Sequence, residues 1–166
     1  MTMDKNPMHF RHTPDQLPQD PHALIAYPDS VLRSILETVR VIAMVGASDR
    51  PERPSYGVMA FLQKKGYRVI PVNPSLAGQT LLGEQVFASL GDIPHDFDMV
   101  DIFRKSDAVP NIVDEAIRLA QQRHIKIIWM QIGVRNDHAA STAEAAGLSV
   151  IMNRCPKQEY PRVMSP

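Results

Sequence analysis

The stretch VIAMVGASDRPERPSYG, residues 41–57, decides the fold. Its first five residues form a continuous apolar run, which is typical of a strand buried on both faces of a parallel sheet. Gly46, Ala47 and Ser48 then turn the chain, and the pattern from residue 55 onward predicts a helix. A strand that runs through a small-residue turn into a helix leaves room for a ligand at the turn.

Length and composition predict one globular domain. The chain has 166 residues, which is long enough for a sizeable core, and its hydrophobic fraction of 44% is ordinary. Lys plus Arg and Asp plus Glu are both 18, so no net field favours nucleic acid or an anionic membrane. No segment approaches the ~20 apolar residues of a membrane span, and the N-terminus lacks the pattern of a secretory signal. With Cys155 alone, no intrachain disulfide can form, and we expect a cytoplasmic protein.

Residues 1–28 are predicted to form an extended, proline-rich arm. Each of its prolines fixes φ and removes a hydrogen-bond donor, and no helical or strand period is present. His9, His12 and His22 are interpreted as solvated residues, because no cysteine or carboxylate cluster completes a metal-ligand set. We therefore expect no metal. Whether the arm folds over the site or packs on a second subunit stays open.

Strands and helices alternate along residues 29–160, the predicted domain, and residues 161–166 are expected to form a short irregular tail. The predicted helices cover residues 29–38, 55–65, a segment beginning near 110, and 137–146, with a shorter helix near 86–90. The predicted strands cover residues 41–45, 68–72, 98–103, 125–130 and 148–152. This alternation produces right-handed βαβ units. The predicted fold is therefore α/β, Rossmann-like and doubly wound, with a mostly parallel five-stranded sheet in three α/β/α layers.

In such sheets ligands bind outside the carboxyl ends of the strands, near the switch in strand order. At the turn after the first strand, a helix N-terminus offers free N–H groups to a phosphate, Arg50 and Arg53 add charge, and Ser48 and Ser55 add hydroxyls. The dinucleotide fingerprint is incomplete, because Ser48 replaces a glycine and Asn73 stands where an acid would bind a ribose. A P-loop is excluded by the lack of Gly-Lys-Ser/Thr. The turn therefore favours a phosphorylated ligand other than NAD, and a turn that only connects two elements is the alternative.

Five segments at the strand ends form a recognisable set. They are Val45-Gly46-Ala47-Ser48, Gly66-Tyr67-Arg68-Val69-Ile70-Pro71-Val72-Asn73-Pro74, Val100-Asp101-Ile102-Phe103-Arg104, Trp129-Met130-Gln131-Ile132-Gly133 and Asn153-Arg154-Cys155-Pro156. In order and spacing they resemble the small stand-alone coenzyme A-binding proteins, which in turn resemble the N-terminal CoA-binding domain of the succinate–CoA ligase alpha subunit. The likeness runs from about residue 41 to residue 160 and includes all five strand ends.

The resemblance implies a site for CoA or an acyl-CoA. It places the diphosphate on Gly46, Ala47, Ser48 and Arg50. It places the adenosine near Val72, Asn73 and Pro74, and the pantetheine arm along Phe103, Arg104, Met130, Gln131 and Gly133. Ser55, Tyr56, Asn153 and Cys155 complete the predicted site. Where the ligase has a phosphate-binding lysine this chain has Leu76, and Arg50, Arg53 or Arg104 supplies the charge instead.

No catalytic residue is predicted. The ligase's second domain, which carries its phosphorylated histidine, has no counterpart among these motifs, and His95, His124 and His138 are interpreted as surface residues. Asp98 and Asp101 are interpreted as loop and cap residues, and Trp129 as a core residue.

Cys155 is the one candidate nucleophile. It is either a small residue packed at a strand end or a partner of the CoA thiol in a mixed disulfide.

These observations predict a non-catalytic module that binds or senses CoA. A subunit or fragment of an acyl-CoA ligase-type enzyme is the alternative, and an NAD(P)-dependent oxidoreductase is a weaker one. A homo-oligomer or a partner subunit stays open.

Overall fold

A computed structural model describes residues 10–164. Its centre is a five-stranded sheet of β1 Val41–Val45, β2 Arg68–Val72, β5 Met99–Ile102, β6 Ile127–Met130 and β7 Ser149–Ile151. The strands lie in the order β2-β1-β5-β6-β7, and every neighbouring pair is parallel. The predicted α/β Rossmann-like fold is confirmed.

Within residues 10–164, five α-helices cover the sheet: α1 Asp29–Thr38, α2 Pro54–Lys64, α3 Val109–Arg123, α4 Asp137–Ala145 and α5 Pro156–Val163. The crossover through α2 runs from β1 outward to β2, whereas those through α3 and α4 run the opposite way, to β6 and β7. Because both kinds of crossover are right-handed, they place their helices on opposite faces. Accordingly α5 packs on α1 and α2, and α3 packs on α4.

The strands are buried because each lies between two helical layers. Trp129 in β6 has no exposed surface, as expected of a core residue, and its Nε1 donates to Arg154 O at 2.8 Å. Pro71 is tolerated in β2 because this strand lies at the sheet edge. On that outer side Phe87 N–H donates to Pro71 O at 3.0 Å, and Asn73 N–H donates to Phe87 O at 2.9 Å.

The predicted short helix near residues 86–90 is wrong over residues 86–89, and the chain instead forms a short 3-10 helix at Leu90–Asp92. A hairpin of β3 Thr80–Leu81 and β4 Glu84–Gln85 precedes this segment, with its turn at Leu82 (φ 47°) and Gly83 (φ 83°). Phe87 then forms a parallel bridge with Val72. Pairing with the free edge of β2 satisfies main-chain groups that a single helical turn would leave open, so the segment is extended.

The predicted irregular tail is also wrong where the structure describes it, because α5 extends to Val163. Pro156 suits the first helical position, where its missing N–H is not needed. Pro161 lies inside the helix, but Glu159 and Val163 are buried and hold the segment in place. Residues 165–166 lie outside the described residues.

Residues 10–27 do not extend into solvent. Ile25 and Tyr27 are buried in the core, and Phe10 packs against it. The interpretation of His12 as a solvated residue is wrong, because its side chain is only 4% exposed. Its Nδ1 lies 3.0 Å from Glu144 Oε1, and its Nε2 lies 2.6 Å from the Tyr27 hydroxyl. His9 and the rest of residues 1–9 lie outside the described part of the chain.

Candidate ligand-binding site

The order of the sheet reverses between β1 and β5, and a cavity of about 950 Å³ opens at the carboxyl ends of the strands there. This is the crevice in which open α/β sheets bind ligands. The cavity wall combines the turn after β1, the start of α2, the ends of β5 and β6, and the start of α5. Its lining residues are Gly46, Ala47, Ser48, Arg50, Arg53, Pro54, Ser55, Val58, Asn73, Phe103, Arg104, Lys105, Gln131, Ile132, Gly133, Val134, Cys155, Lys157 and Gln158.

Gly46 lets the turn after β1 pack directly against the end of β5. Its φ is +86°, and a Cβ at this position would lie 2.4 Å from the carbonyl oxygen of Phe103. The N–H groups of Gly46 and Ala47 already donate to Val72 O, at 3.0 and 3.3 Å. Further along, the N–H groups of Arg53 and Tyr56 donate to Arg50 O and Arg53 O, and Pro54 has none, so Ser55 supplies the main-chain donor of the first turn of α2.

The start of α2 faces the cavity with polar groups. Arg53 is the N-cap residue, Pro54 occupies the first turn, and the side chain of Ser55 is buried against the cavity. In the preceding turn, the Arg50 N–H donates to Ser48 Oγ at 3.1 Å. Arg50, Arg53 and the positive end of the α2 dipole therefore all favour an anion at this part of the cavity.

Five cationic side chains surround this cavity, and no aspartate or glutamate among the described residues lines it. None of the five forms an ion pair within residues 10–164, whereas Arg135, Arg154 and Arg162 each have a carboxylate partner. In a chain with formal net charge +0, this uncompensated group favours an anionic ligand. The five are Arg50, Arg53, Arg104, Lys105 and Lys157.

The other end of the cavity lies beyond β6 and β7. Gln131 follows β6 and is 7% exposed, and its Oε1 has no hydrogen-bond partner among the described residues. Cys155, 5% exposed, is the N-cap residue of α5. Gly133 N–H donates to Asn153 Oδ1 at 2.7 Å, which joins the two strand ends. A buried amide oxygen without a donor marks a place where a ligand can supply an N–H group.

A second cavity of about 510 Å³ adjoins the first and shares Gly46, Asn73, Phe103 and Arg104 with it. The Asn73 side chain joins the turns after β1 and β2, because its Nδ2 donates to Ala47 O at 2.8 Å and its Oδ1 accepts from Ser75 N at 2.9 Å. Val72 and Pro74 line only this second cavity.

The structure brings most of the predicted site residues to the main cavity. Tyr56, Met130 and Asn153 line neither cavity. Met130 has no exposed surface, and the Asn153 side chain donates to Ala23 O as well as accepting from Gly133. The predicted site residues that line the main cavity are Gly46, Ala47, Ser48, Arg50, Ser55, Asn73, Phe103, Arg104, Gln131, Gly133 and Cys155.

Sequence reasoning missed Lys105, Lys157 and Gln158 as lining residues. Lys157 and Gln158 lie in the first turn of α5, in a segment whose helix was not predicted. Pro156 followed by polar residues is a helix-start signal that could have found them. Lys105 follows Arg104 directly, so proximity to a predicted site residue was its only signal.

Asp101 and the described histidines lie outside the cavity and do not supply it with a catalytic set. The interpretation of Asp101 as a loop or cap residue is wrong, because it lies inside β5, fully buried, with both carboxyl oxygens unpartnered among the described residues. Burial raises the pKa of this carboxyl well above its usual range. His22, His95, His124 and His138 are exposed, as expected.

Within residues 10–164, no three metal-ligating side chains cluster closely enough to hold a metal ion. Every helix in the same range is too short or too polar to span a bilayer.

The family described as "CoA binding domain" matches residues 40–161, which include every strand of the main sheet. The chain belongs to this family. This CoA-binding-domain chain is 35% identical over 126 residues to the uncharacterized protein YneT of Bacillus subtilis (strain 168), across 76% of this chain and 89% of that protein.

Two solved structures place the family fold in context. A hypothetical protein from Pyrococcus horikoshii OT3 is 36% identical, with a TM-score of 0.77 over 84% of this chain and 94% of that chain. The acetyl-coenzyme A synthetase 1 of Ca. Korarchaeum cryptofilum, in its apo form, is 22% identical, with a TM-score of 0.54. The match covers 66% of this chain and 25% of the synthetase, and at this identity it shows a shared fold alone.

Proposed function

We propose that the protein binds coenzyme A or an acyl-CoA in the main cavity and acts as a binding or sensor module without chemistry of its own on the acyl group. One observation carries this proposal: within residues 10–164, five cations without an ion-pair partner surround a cavity that no carboxylate lines. CoA bears a diphosphate and a ribose phosphate, so its charge matches such a wall.

The residues present fit the separate parts of CoA. Ser48, Arg50, Arg53 and the first turn of α2 would hold the diphosphate through hydroxyl, guanidinium and main-chain donors. The unpartnered Gln131 Oε1 would accept an N–H from one of the two amides of the pantetheine arm. The second cavity, which shares Asn73 and Arg104 with the first, offers space for the nucleoside.

The competing nucleotide, NAD, is disfavoured by the same geometry. Both polar ends of the Asn73 side chain are already engaged, with Ala47 and Ser75, so the end of β2 offers neither an acid nor a free amide to a ribose. A role as part of an acyl-CoA ligase-type enzyme would require a partner subunit that carries the nucleotide chemistry.

Isothermal titration of the full chain with CoA, acetyl-CoA, NAD and NADP tests the proposal. We expect CoA or acetyl-CoA to bind, and both nicotinamide cofactors to bind more weakly. Arg53→Ala should weaken CoA binding by about tenfold, because a charge-assisted phosphate contact is worth ~1.4 kcal/mol or more. Arg118→Ala, which removes an exposed arginine from α3, is the matched control and should leave the affinity unchanged. Tighter binding of NAD or NADP than of CoA would overturn the proposal.

A further inference from the structure

Cys155 lines the main cavity beside the end of β6, because its neighbour Arg154 donates its N–H to Met130 O at 3.3 Å. It follows β7, it is the one cysteine in the sequence, and it is 5% exposed. The cavity is lined by Cys155 itself and by its neighbours Lys157 and Gln158. A molecule in this cavity therefore reaches a thiol that bulk solvent hardly contacts.

A second feature of the same cavity points to a ligand beside this thiol. The Gln131 side chain is more than nine-tenths buried, lines the cavity, and presents an Oε1 without a donor among the described residues. Buried polar atoms of this kind are nearly always hydrogen-bonded in the functional state of a protein. A ligand that carries amide N–H groups and ends in sulfur would satisfy Gln131 and then meet Cys155.

The distance across the sheet suits the pantetheine arm of CoA. Arg154, next to Cys155, bonds to the end of β6, and two strand spacings separate β6 from β1, which is ~10 Å at about 4.8 Å each and within the reach of the arm. From phosphate to sulfur the extended arm has as many chain atoms as about four residues, which span ~14 Å. With its diphosphate at the Ser48–Arg53 turn, CoA would therefore carry its sulfur to the neighbourhood of Cys155.

We propose that Cys155 forms a mixed disulfide with CoA by exchange with a CoA disulfide, an inference that rests on the proposed CoA site. The Cys155 thiol releases its proton to solvent, and the resulting thiolate attacks the CoA-side sulfur of a disulfide CoA–S–S–R. One sulfur–sulfur bond forms between Cys155 and CoA as the other breaks. The group R leaves as a thiolate with the electron pair and takes up a proton, so no external oxidant is needed. A free low-molecular-weight thiol reverses the reaction by the same route.

The site selects for this reagent by binding it. Because Cys155 is buried, a small disulfide without the nucleotide has no contact that brings its sulfur to the thiol. A bound CoA disulfide instead has a high effective concentration at Cys155, so its reaction should be at least about tenfold faster than that of glutathione disulfide. The fraction of Cys155 in the mixed disulfide would thus depend on how much of the CoA is oxidised to disulfides.

Intact-protein mass spectrometry of the full chain tests the inference. The reduced protein is incubated with CoA disulfide or with glutathione disulfide, and CoA binding is measured in parallel by titration with reduced CoA. We expect a single added CoA, lost again on addition of dithiothreitol, and no adduct on Cys155→Ser. Thermal unfolding and circular dichroism of Cys155→Ser establish that the variant is folded.

The outcomes separate the two proposals. If reduced CoA binds and no adduct forms with CoA disulfide, the inference about Cys155 is wrong and the proposed function stands. If reduced CoA does not bind, the proposed function fails, and an adduct formed equally fast with both disulfides would then show only a reactive thiol. Equal rates in a protein that does bind CoA would also overturn the inference, because the cavity would not be directing the exchange.

Discussion

Gly46 shows how a single residue at the site is constrained by its protein neighbours. Its φ is positive, and a Cβ added here would lie only 2.4 Å from Phe103 O, so there is no space for a side chain. This contact joins the turn after β1 to the end of β5, the two strands between which the sheet order reverses. The glycine therefore keeps both walls of the crevice in place.

Replacement of Gly46 by alanine should destabilise the fold by about 2–4 kcal/mol, since it adds a left-handed backbone penalty to a clash with main-chain atoms. Urea unfolding monitored by circular dichroism measures the loss. Gly66→Ala is the matched control, because φ at Gly66 is +98° but a Cβ there has no heavy atom within 4 Å. The control should lose only ~1 kcal/mol, the backbone penalty alone. Equal losses in the two variants would show that the contact with Phe103 is unimportant.

At the scale of elements, residues 10–27 are held to the domain by a buried polar network. His12 N donates to Glu144 Oε2 at 2.9 Å, and Met152 N donates to the Tyr27 hydroxyl at 2.9 Å. Burial raises the pKa of the Tyr27 phenol, so this group stays protonated and can donate to the His12 ring. These two main-chain hydrogen bonds join the arm to α4 and to the segment after β7, near the C-terminal end of the domain. They hold the arm against the folded domain.

His12→Ala should destabilise the protein by about 2–3 kcal/mol, because it removes the ring from its buried contacts with Glu144 Oε1 and the Tyr27 hydroxyl, although the main-chain bond to Glu144 Oε2 remains. Urea unfolding measures the loss, and amide hydrogen exchange should accelerate within residues 10–27. His124→Ala is the matched control, because the His124–Asp96 pair is exposed, with 65% and 58% of the two side chains accessible. That variant should lose less than ~0.5 kcal/mol. Comparable losses would argue that the arm is not held through His12.

With one exception, the elements that sequence reasoning missed share one physical cause. Residues 41–45 could be assigned to a strand because their pattern is local, and so could most of the helices. The burial of His12 and the pairing of Phe87 with β2 depend on contacts with distant parts of the chain. Such contacts cannot be predicted from a local pattern of prolines and polar residues. The helix at Pro156 is the exception, because Pro156 followed by polar residues is a local helix-start signal.

The same reasoning applies to the candidate site. The turn residues Gly46 to Ser48 could be predicted because their position follows from the strand–turn–helix pattern. Lys157 and Gln158 reach the cavity only because α5 packs against α1 and α2, which no local pattern specifies. The engagement of the Gly46 and Ala47 amides by Val72 O likewise depends on how the turn lies over β2.

At the scale of the whole molecule, Asp101 links stability to pH. Its carboxyl is fully buried between β1 and β6, paired in register with Met44 and Trp129, and burial raises its pKa. The folded state therefore holds this proton to higher pH than the unfolded state does. The contribution of this carboxyl to the free energy of unfolding is fully present below the unfolded pKa of about 4. It is lost as pH rises toward the folded pKa, because the unfolded state then releases the proton while the folded state must keep it.

Asp101→Asn should remove this dependence. We expect the variant and the parent to have similar free energies of unfolding near pH 4. Above that pH the variant should become the more stable, with the gap growing by up to about 1.4 kcal/mol per pH unit until the folded pKa is passed. Urea unfolding from pH 4 to pH 8 measures the gap. Asp114→Asn, at an exposed position of α3, should give a curve parallel to that of the parent. A constant gap for Asp101→Asn would mean that the carboxyl is ionised in the native state throughout.

Both edge strands of the main sheet, β2 and β7, are partly covered by other segments of the chain, at the places where a second chain could add a strand. Phe87 bonds to the outer side of β2, while Phe10 N–H donates to Ser149 Oγ and Tyr27 accepts from Met152 at the two ends of β7. Lateral growth of the sheet between copies would first require detachment of the hairpin segment or the arm. Removal of the arm would therefore expose unpaired main-chain groups along β7, where a second chain could add a strand.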